Sequence, residues 1–109
     1  MVSYPTRDQV WLIALDPSKG PEIRKTRPCL VVSPDEMNEP LRTAIVAPMI
    51  TTLRAYPTRV NVDFRRKSGQ VALDQLRAVD RTRFLNKLGL SSPEVAKEVS
   101  AALVEMFAR

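Results

Sequence analysis

The chain has 109 residues, of which 44% are apolar, enough for the core of one ordinary domain with little length left for a second. Seventeen basic residues against twelve acidic ones leave a net charge of +5. Twelve of the seventeen are arginine, whose planar guanidinium grips a phosphate through two parallel hydrogen bonds. Nucleic acid is one partner such an excess draws, and plain solubility is the other reading.

The absent residue types exclude more. There is no histidine, which removes the usual neutral-pH general base and the nucleophile pairs that depend on it. With one cysteine, Cys29, neither an internal disulfide nor a thiolate zinc site can be built. Cys29 lies in the apolar run Pro28–Val32, where a free thiol behaves as a small buried hydrophobe and fits a reducing cytosol. Three glycines and no Gly-x-x-x-x-Gly-Lys-Ser/Thr loop argue against a nucleotide triphosphatase. The start of the chain carries no basic head with a long apolar stretch, and nowhere do 18 apolar residues run together. The sequence is therefore read as one soluble cytoplasmic domain over residues 1–109.

In chain order, the continuous apolar run Val10–Leu15 predicts a strand, ended by the loop Asp16–Pro21. Cys29–Val32 is a second short strand. Ser33–Asn38 is read as one helical turn capped by Ser33 with Pro34 at its first position. Thr43–Ile50 is a third strand, and the strict alternation of Arg59–Phe64 is that of a strand with one wet face. A basic turn, Arg65–Gly69, follows, then strand at Gln70–Leu73 and Gln75–Val79, and a brief helix over Asp80–Leu85 capped by Asp80. Val95, Val99, Ala102, Leu103 and Met106 recur at three- and four-residue steps and predict an amphipathic C-terminal helix. Its start has two readings, a Ser91/Glu94 capping box or a Ser92 cap with Pro93 next. Short strands followed by one helix predict an α+β, mainly β fold: a small antiparallel barrel with the helix packed across it.

With no histidine, no metal cluster and scattered carboxylates, phosphate chemistry by arginine and carboxylate is what remains. RNA carries its own nucleophile, the 2′-hydroxyl. Cleavage then needs a base for that proton, a cation for the charged phosphorus and an acid for the departing 5′-oxygen. No metal or cofactor is expected. Glu22 and Arg27 lie at the two ends of a loop segment where functional side chains commonly sit, and a solvated charged loop is the alternative reading of the same residues.

At this loop the sequence resembles a known family. Asp8-Gln9-Val10-Trp11-Leu12, Asp16-Pro17-Ser18-Lys19-Gly20-Pro21-Glu22 and Arg27-Pro28 followed by Leu30-Val31-Val32-Ser33 resemble the MazF, PemK and Kid toxins. Ala44-Ile45-Val46-Ala47-Pro48-Met49, Tyr56-Pro57-Thr58-Arg59-Val60 and Leu73-Asp74-Gln75-Leu76-Arg77 follow in the family's order, so the resemblance covers nearly the whole chain from Asp8. It implies an SH3-like barrel with a C-terminal helix and a homodimer. The activity it implies is metal-independent cleavage of single-stranded RNA at short sequences, leaving 2′,3′-cyclic phosphate and 5′-hydroxyl ends. It also implies a cognate antitoxin of the MazE type, whose acidic, initially disordered tail would fold over the positive surface. No membrane association is implied.

By position, Glu22 matches the loop glutamate proposed as general base in some members, and Arg27 the arginine that contacts the scissile phosphate. An arginine pKa above roughly 12 makes it a poor proton donor, so Arg27 is expected chiefly to stabilise phosphorane charge. Arg24 and Lys25 are expected as RNA or solvent contacts. Two positions depart from the pattern. The family's phosphate-binding threonine falls on Ile50, so Thr51 is expected to take the role through a bulge at the strand end, with Thr52 as runner-up. Ala72 stands where Kid-like members place an arginine, while Asp74 keeps the nearby aspartate, to be read as a turn carboxylate or as part of the site. Arg77, together with Thr52 and Asp74, completes the expected RNA contacts. Trp11 is read as core, and Arg54, Arg59, Arg65, Arg66 and Lys67 as an RNA groove or a solvated face. Two alternatives stay open: a CcdB-like toxin of the same barrel that binds a protein such as DNA gyrase, and a degenerate member that binds RNA or antitoxin without cutting.

Overall fold

The computed structural model describes residues 4–15 and 26–109. Among these, seven strands and two helices follow in the order β1 (Gln9–Ala14), β2 (Thr26–Val31), α1 (Asp35–Asn38), β3 (Thr43–Ile50), β4 (Arg59–Phe64), β5 (Lys67–Ala72), β6 (Arg77–Asp80), β7 (Phe84–Leu90) and α2 (Pro93–Phe107). All pairings are antiparallel, in the order β4-β5-β3-β2-β1-β7, with β6 also on β3. This is the expected mainly β, barrel-like sheet with a C-terminal helix.

β3 is the axis of the fold. One edge pairs with β2 from Val46 to Pro48. Along the other, Thr43–Val46 pair with β6 and Met49–Ile50 with β5. A single 3₁₀ turn, Leu73–Gln75, lets the chain leave β3 after β5 and return to it as β6. The sequence run read as strand through Gln75–Val79 is thus broken by this turn, and β6 starts at Arg77. The partner change divides the interior in two. Val10, Leu30, Ala47, Val60, Val62, Val71, Leu73 and Val99 form one buried cluster, and Ile13, Leu15, Cys29, Val31, Ala44, Val46 and Val79 the other. Alternation along β2 explains the split: Leu30 points into the first, Cys29 and Val31 into the second. Trp11 packs against the second cluster, its ring edge-on to Phe84 at 5.5 Å, so the core reading of this tryptophan holds.

α2 begins with Ser92 as its cap, the hydroxyl accepting from the Val95 amide at 3.2 Å, and Pro93 as its first residue. The Ser91/Glu94 alternative is not used. Val95, Val99, Ala102, Leu103 and Met106 all lie against the first cluster, as their spacing requires. Only Val99 is fully buried there, at 4% exposure. Burying such a side chain is worth about 1.5–3 kcal/mol, so a charge at Val99 would undock the helix.

Three local expectations are corrected. Ser33 does not cap α1, which has no side-chain cap. Its hydroxyl instead donates to Asn38 Oδ1 and accepts from the Ile45 amide at 2.9 Å, tying the helical turn to β3 through a fully buried asparagine. The basic turn is two residues rather than five: Arg65 and Arg66 both have positive φ, 50° and 66°, as a right-twisting two-residue hairpin requires, and Lys67–Gly69 are already in β5. The brief helix at Asp80–Leu85 is a 3₁₀ turn, Arg81–Arg83, capped by Asp80, after which Phe84–Leu90 form a seventh strand that the sequence did not announce.

Candidate active site

β2, β3 and the β4–β5 hairpin end together around a groove of about 330 Å³. Its floor is apolar: Pro28, Met49, Ile50, Val62, Phe64 and Leu88. Its rim carries Thr26, Arg27, Thr51, Arg65, Lys67 and Ser68, with three cations and no carboxylate among the described lining residues. A low-dielectric floor under a cationic rim concentrates field on an anion.

Each rim residue has a local reason for its place. Arg27 is at the start of β2, opposite Ile13, and exposed. Arg65 reaches from the hairpin turn to donate to the Leu88 carbonyl, while its guanidinium lies 5.8 Å from the Phe64 ring, so it spans one wall of the groove. Thr51 follows directly on β3. The expected bulge is absent: Met49 and Ile50 pair in unbroken register with Val71 and Gln70. Thr51 lines the groove because the strand ends before it, and Ile50 lines it as well. Gly69 makes this possible, since a β-carbon there would stand 2.6 Å from the Ile50 carbonyl oxygen. Thr52 is exposed and does not line the groove.

Beyond Thr51 the chain is held by Gln70, which is 5% exposed. Its Oε1 accepts from the Arg54 amide at 2.9 Å, and its Nε2 donates to the Arg54 carbonyl at 3.0 Å and to Asn61 Oδ1 at 2.9 Å. Nothing in its sequence setting marked this glutamine.

Asp74 is outside the groove and engaged elsewhere. Arg59 Nε donates to Asp74 Oδ1 at 2.7 Å and Nη2 to Oδ2 at 3.2 Å, and the Thr58 hydroxyl donates to Oδ1 at 3.2 Å. The Arg59 hydrogen bonds hold the Asp74 carboxyl below its ordinary range, and Asp74 in turn raises Arg59 above its own. Arg59 stands directly across the ladder from Ala72, so the guanidinium beside Asp74 comes from the neighbouring strand rather than from position 72. Arg59 is thereby removed from the free basic surface: its side chain is 6% exposed.

Arg77 begins β6 opposite Val46. Burial pushes the Cys29 thiol up to about 12, outweighing the charges of Arg77 and Arg27, which act to lower it. Glu22, Arg24 and Lys25 lie outside the described residues. Among the described residues, no group of three His, Cys, Asp or Glu is placed to hold a metal ion.

Residues 6–107 match the family model of the PemK-like, MazF-like toxin of type II toxin–antitoxin systems. The Escherichia coli (strain K12) endoribonuclease toxin MazF is 29% identical over 97 residues, covering 88% of this chain and 86% of that one. Among solved structures, MazF from Deinococcus radiodurans superposes with a TM-score of 0.80 at 25% identity, over 99% of this chain and 100% of that one. The MazE–MazF complex from the same organism gives 0.80 at 26%, covering 94% of each chain. The chain belongs to the PemK/MazF family of type II toxins.

Proposed function

We propose that this toxin is an endoribonuclease that cleaves single-stranded RNA in the cytosol, at the groove between β2, β3 and the β4–β5 hairpin. The observation that carries the reading is the cationic rim of Arg27, Arg65 and Lys67 beside Thr51, with no carboxylate among the described lining residues. Its relative in E. coli is named an endoribonuclease, and the D. radiodurans relative is seen with MazE.

In this reading the phosphate sits against Arg27, with the Thr51 hydroxyl as a further donor. The 2′-hydroxyl attacks phosphorus as its proton passes to a base, and the P–O5′ bond breaks with the departing 5′-oxygen taking a proton from solvent water, leaving a 2′,3′-cyclic phosphate and a 5′-hydroxyl. Arg27 offsets the charge that develops on the phosphorane, the role in which a fixed cation contributes most. Glu22 is proposed as the base for the 2′-hydroxyl proton. Arg24, Lys25, Thr52 and Arg77 are proposed to contact the strand outside the scissile linkage, and Asp74 to act through Arg59. The toxin is proposed to work as a homodimer held inactive by an acidic MazE-like antitoxin.

Incubating the purified protein with a long RNA in EDTA and mapping the ends tests this. Cyclic phosphate and 5′-hydroxyl ends are expected, with about a hundredfold or greater loss of rate in Arg27→Ala. Intact RNA at micromolar protein overturns the catalytic reading, and cleavage abolished by EDTA overturns the metal-free mechanism.

A further inference from the structure

Residues 51–57, between β3 and β4, are exposed at every position and form no regular element, yet they are tied down at Arg54 and Tyr56. Gln70 holds both backbone polar groups of Arg54. The Arg59 amide donates to the Tyr56 carbonyl at 3.1 Å, and the Leu73 amide to the Thr58 carbonyl at 3.0 Å. The most elaborate support is under Tyr56. The Arg59 guanidinium lies 5.2 Å from the centroid of its ring and is itself fixed in two-point contact with Asp74.

Tyr56 nevertheless remains 50% exposed. An aromatic ring that serves stability is normally buried, where its large area counts. Here a nearly buried cation, braced by a carboxylate, fixes a ring whose remaining surface meets solvent. Fixing it in advance lowers the entropy lost when a flat ligand stacks on it. Thr51, five residues back on the same loop, lines the groove, and Arg54 lies between the two. No acidic residue occurs from position 40 to position 62, so a polyanion following the loop meets no like charge in this stretch of chain.

We propose that Tyr56 is a stacking platform for one unpaired base of the bound RNA, with Arg54 contacting the phosphate beside it. This rests on the endoribonuclease reading and deepens it. Thr51 lines the groove and Tyr56 does not, so the base taken lies beyond the two that flank the scissile linkage.

Two oligonucleotides test it, built around a cleavage site mapped on long RNA: one reduced to the scissile dinucleotide, one extended on both sides. Each is also made with a 2′-deoxy sugar at the scissile position, so that binding is read by fluorescence anisotropy without cleavage. Tyr56→Ala is expected to weaken binding of the extended oligonucleotide and raise its KM about tenfold, the scale of one lost base–aromatic stack, with kcat nearly unchanged. Tyr56→Phe keeps the ring and should match the parent protein. The dinucleotide should not distinguish the three proteins. Equal behaviour of Tyr56→Ala and the parent on extended RNA overturns the platform, as does an equal loss on both oligonucleotides, or a phenylalanine variant as weak as alanine. Unchanged RNA binding with weakened capture of an acidic peptide reassigns the surface to the antitoxin. A parent protein that cuts no RNA sinks the enzymatic reading instead, and the platform is then decided by the anisotropy of the same three proteins on a long labelled single-stranded RNA.

Discussion

Gln70 holds Arg54 by both of its backbone polar groups, accepting from the amide at 2.9 Å and donating to the carbonyl at 3.0 Å, in the geometry one strand uses to hold another. A side chain thus extends the β3–β5 pairing past Ile50, where the backbone ladder stops.

Replacing this glutamine by leucine of similar volume leaves the Arg54 groups and Asn61 without their partner. A destabilisation of about 1–3 kcal/mol is expected in urea titration. Cleavage should fall about tenfold or more, since small misplacements of catalytic groups are costly. A Gln70→Leu protein with parental stability and rate contradicts the clip.

Thr51 and Thr52 are adjacent in sequence but differ in place, because only Thr51 lines the groove. Thr51→Ala should lower kcat about a hundredfold, the low end of the range for loss of one neutral donor to a charged transition state, and Thr52→Ala should lower it less than threefold. The reverse order in single-turnover rates transfers the role to Thr52.

The Asp74 carboxyl, held low by Arg59, contributes stability that is complete above its ordinary value of 3.8 and is lost as pH falls through the lowered folded value. Asp80 acts in the same direction through the Thr82 amide. Asp8 acts in the opposite one: burial raises its carboxyl, so its charged form weakens the fold at neutral pH and the penalty fades in acid. Thermal melts should find Asp74→Asn less stable than the parent at pH 7, the two curves converging below about pH 4. Asp8→Asn should melt slightly higher at pH 7, with the gain vanishing in acid. Parallel curves would remove the assignment.

Cys29 is fully buried, and its thiol, pushed up to about 12, carries almost no thiolate at neutral pH. Native protein should give no reaction with a disulfide reagent such as DTNB over an hour at pH 8 and one equivalent in guanidinium. Fast labelling of the native state would mean that the second cluster opens readily.

What was legible in the sequence follows from periodicity. β1, β3, β4 and α2 are long, regularly patterned segments, and they fall where the pattern puts them. β7 was hidden for two physical reasons. Leu85-Asn86-Lys87 is polar at its centre, and its register against β1 shifts between Val10 and Trp11 and again between Leu12 and Ile13, which destroys alternation. Arg27 and Thr51, expected from the resemblance, both line one groove. The Arg59–Asp74 pair was not foreseen, because Ala72 drew attention to its own strand while the guanidinium stood on the next. Gln70 was missed because no local rule assigns a buried amide to a loop sixteen residues earlier.

One strand, β3, pairs with β2, β5 and β6 and contributes to both buried clusters. Val46 alone pairs with Val31 on one side and Arg77 on the other. The groove therefore cannot melt while the rest of the barrel persists, because the strand that ends at Thr51 is the one on which the second cluster is assembled. Amide hydrogens from Val46 to Ile50 that are bonded in these ladders should exchange with solvent only through global opening. A protease cutting within β3 must then wait for the barrel to open, so the lifetime of the β3 wall of the groove is the lifetime of the fold.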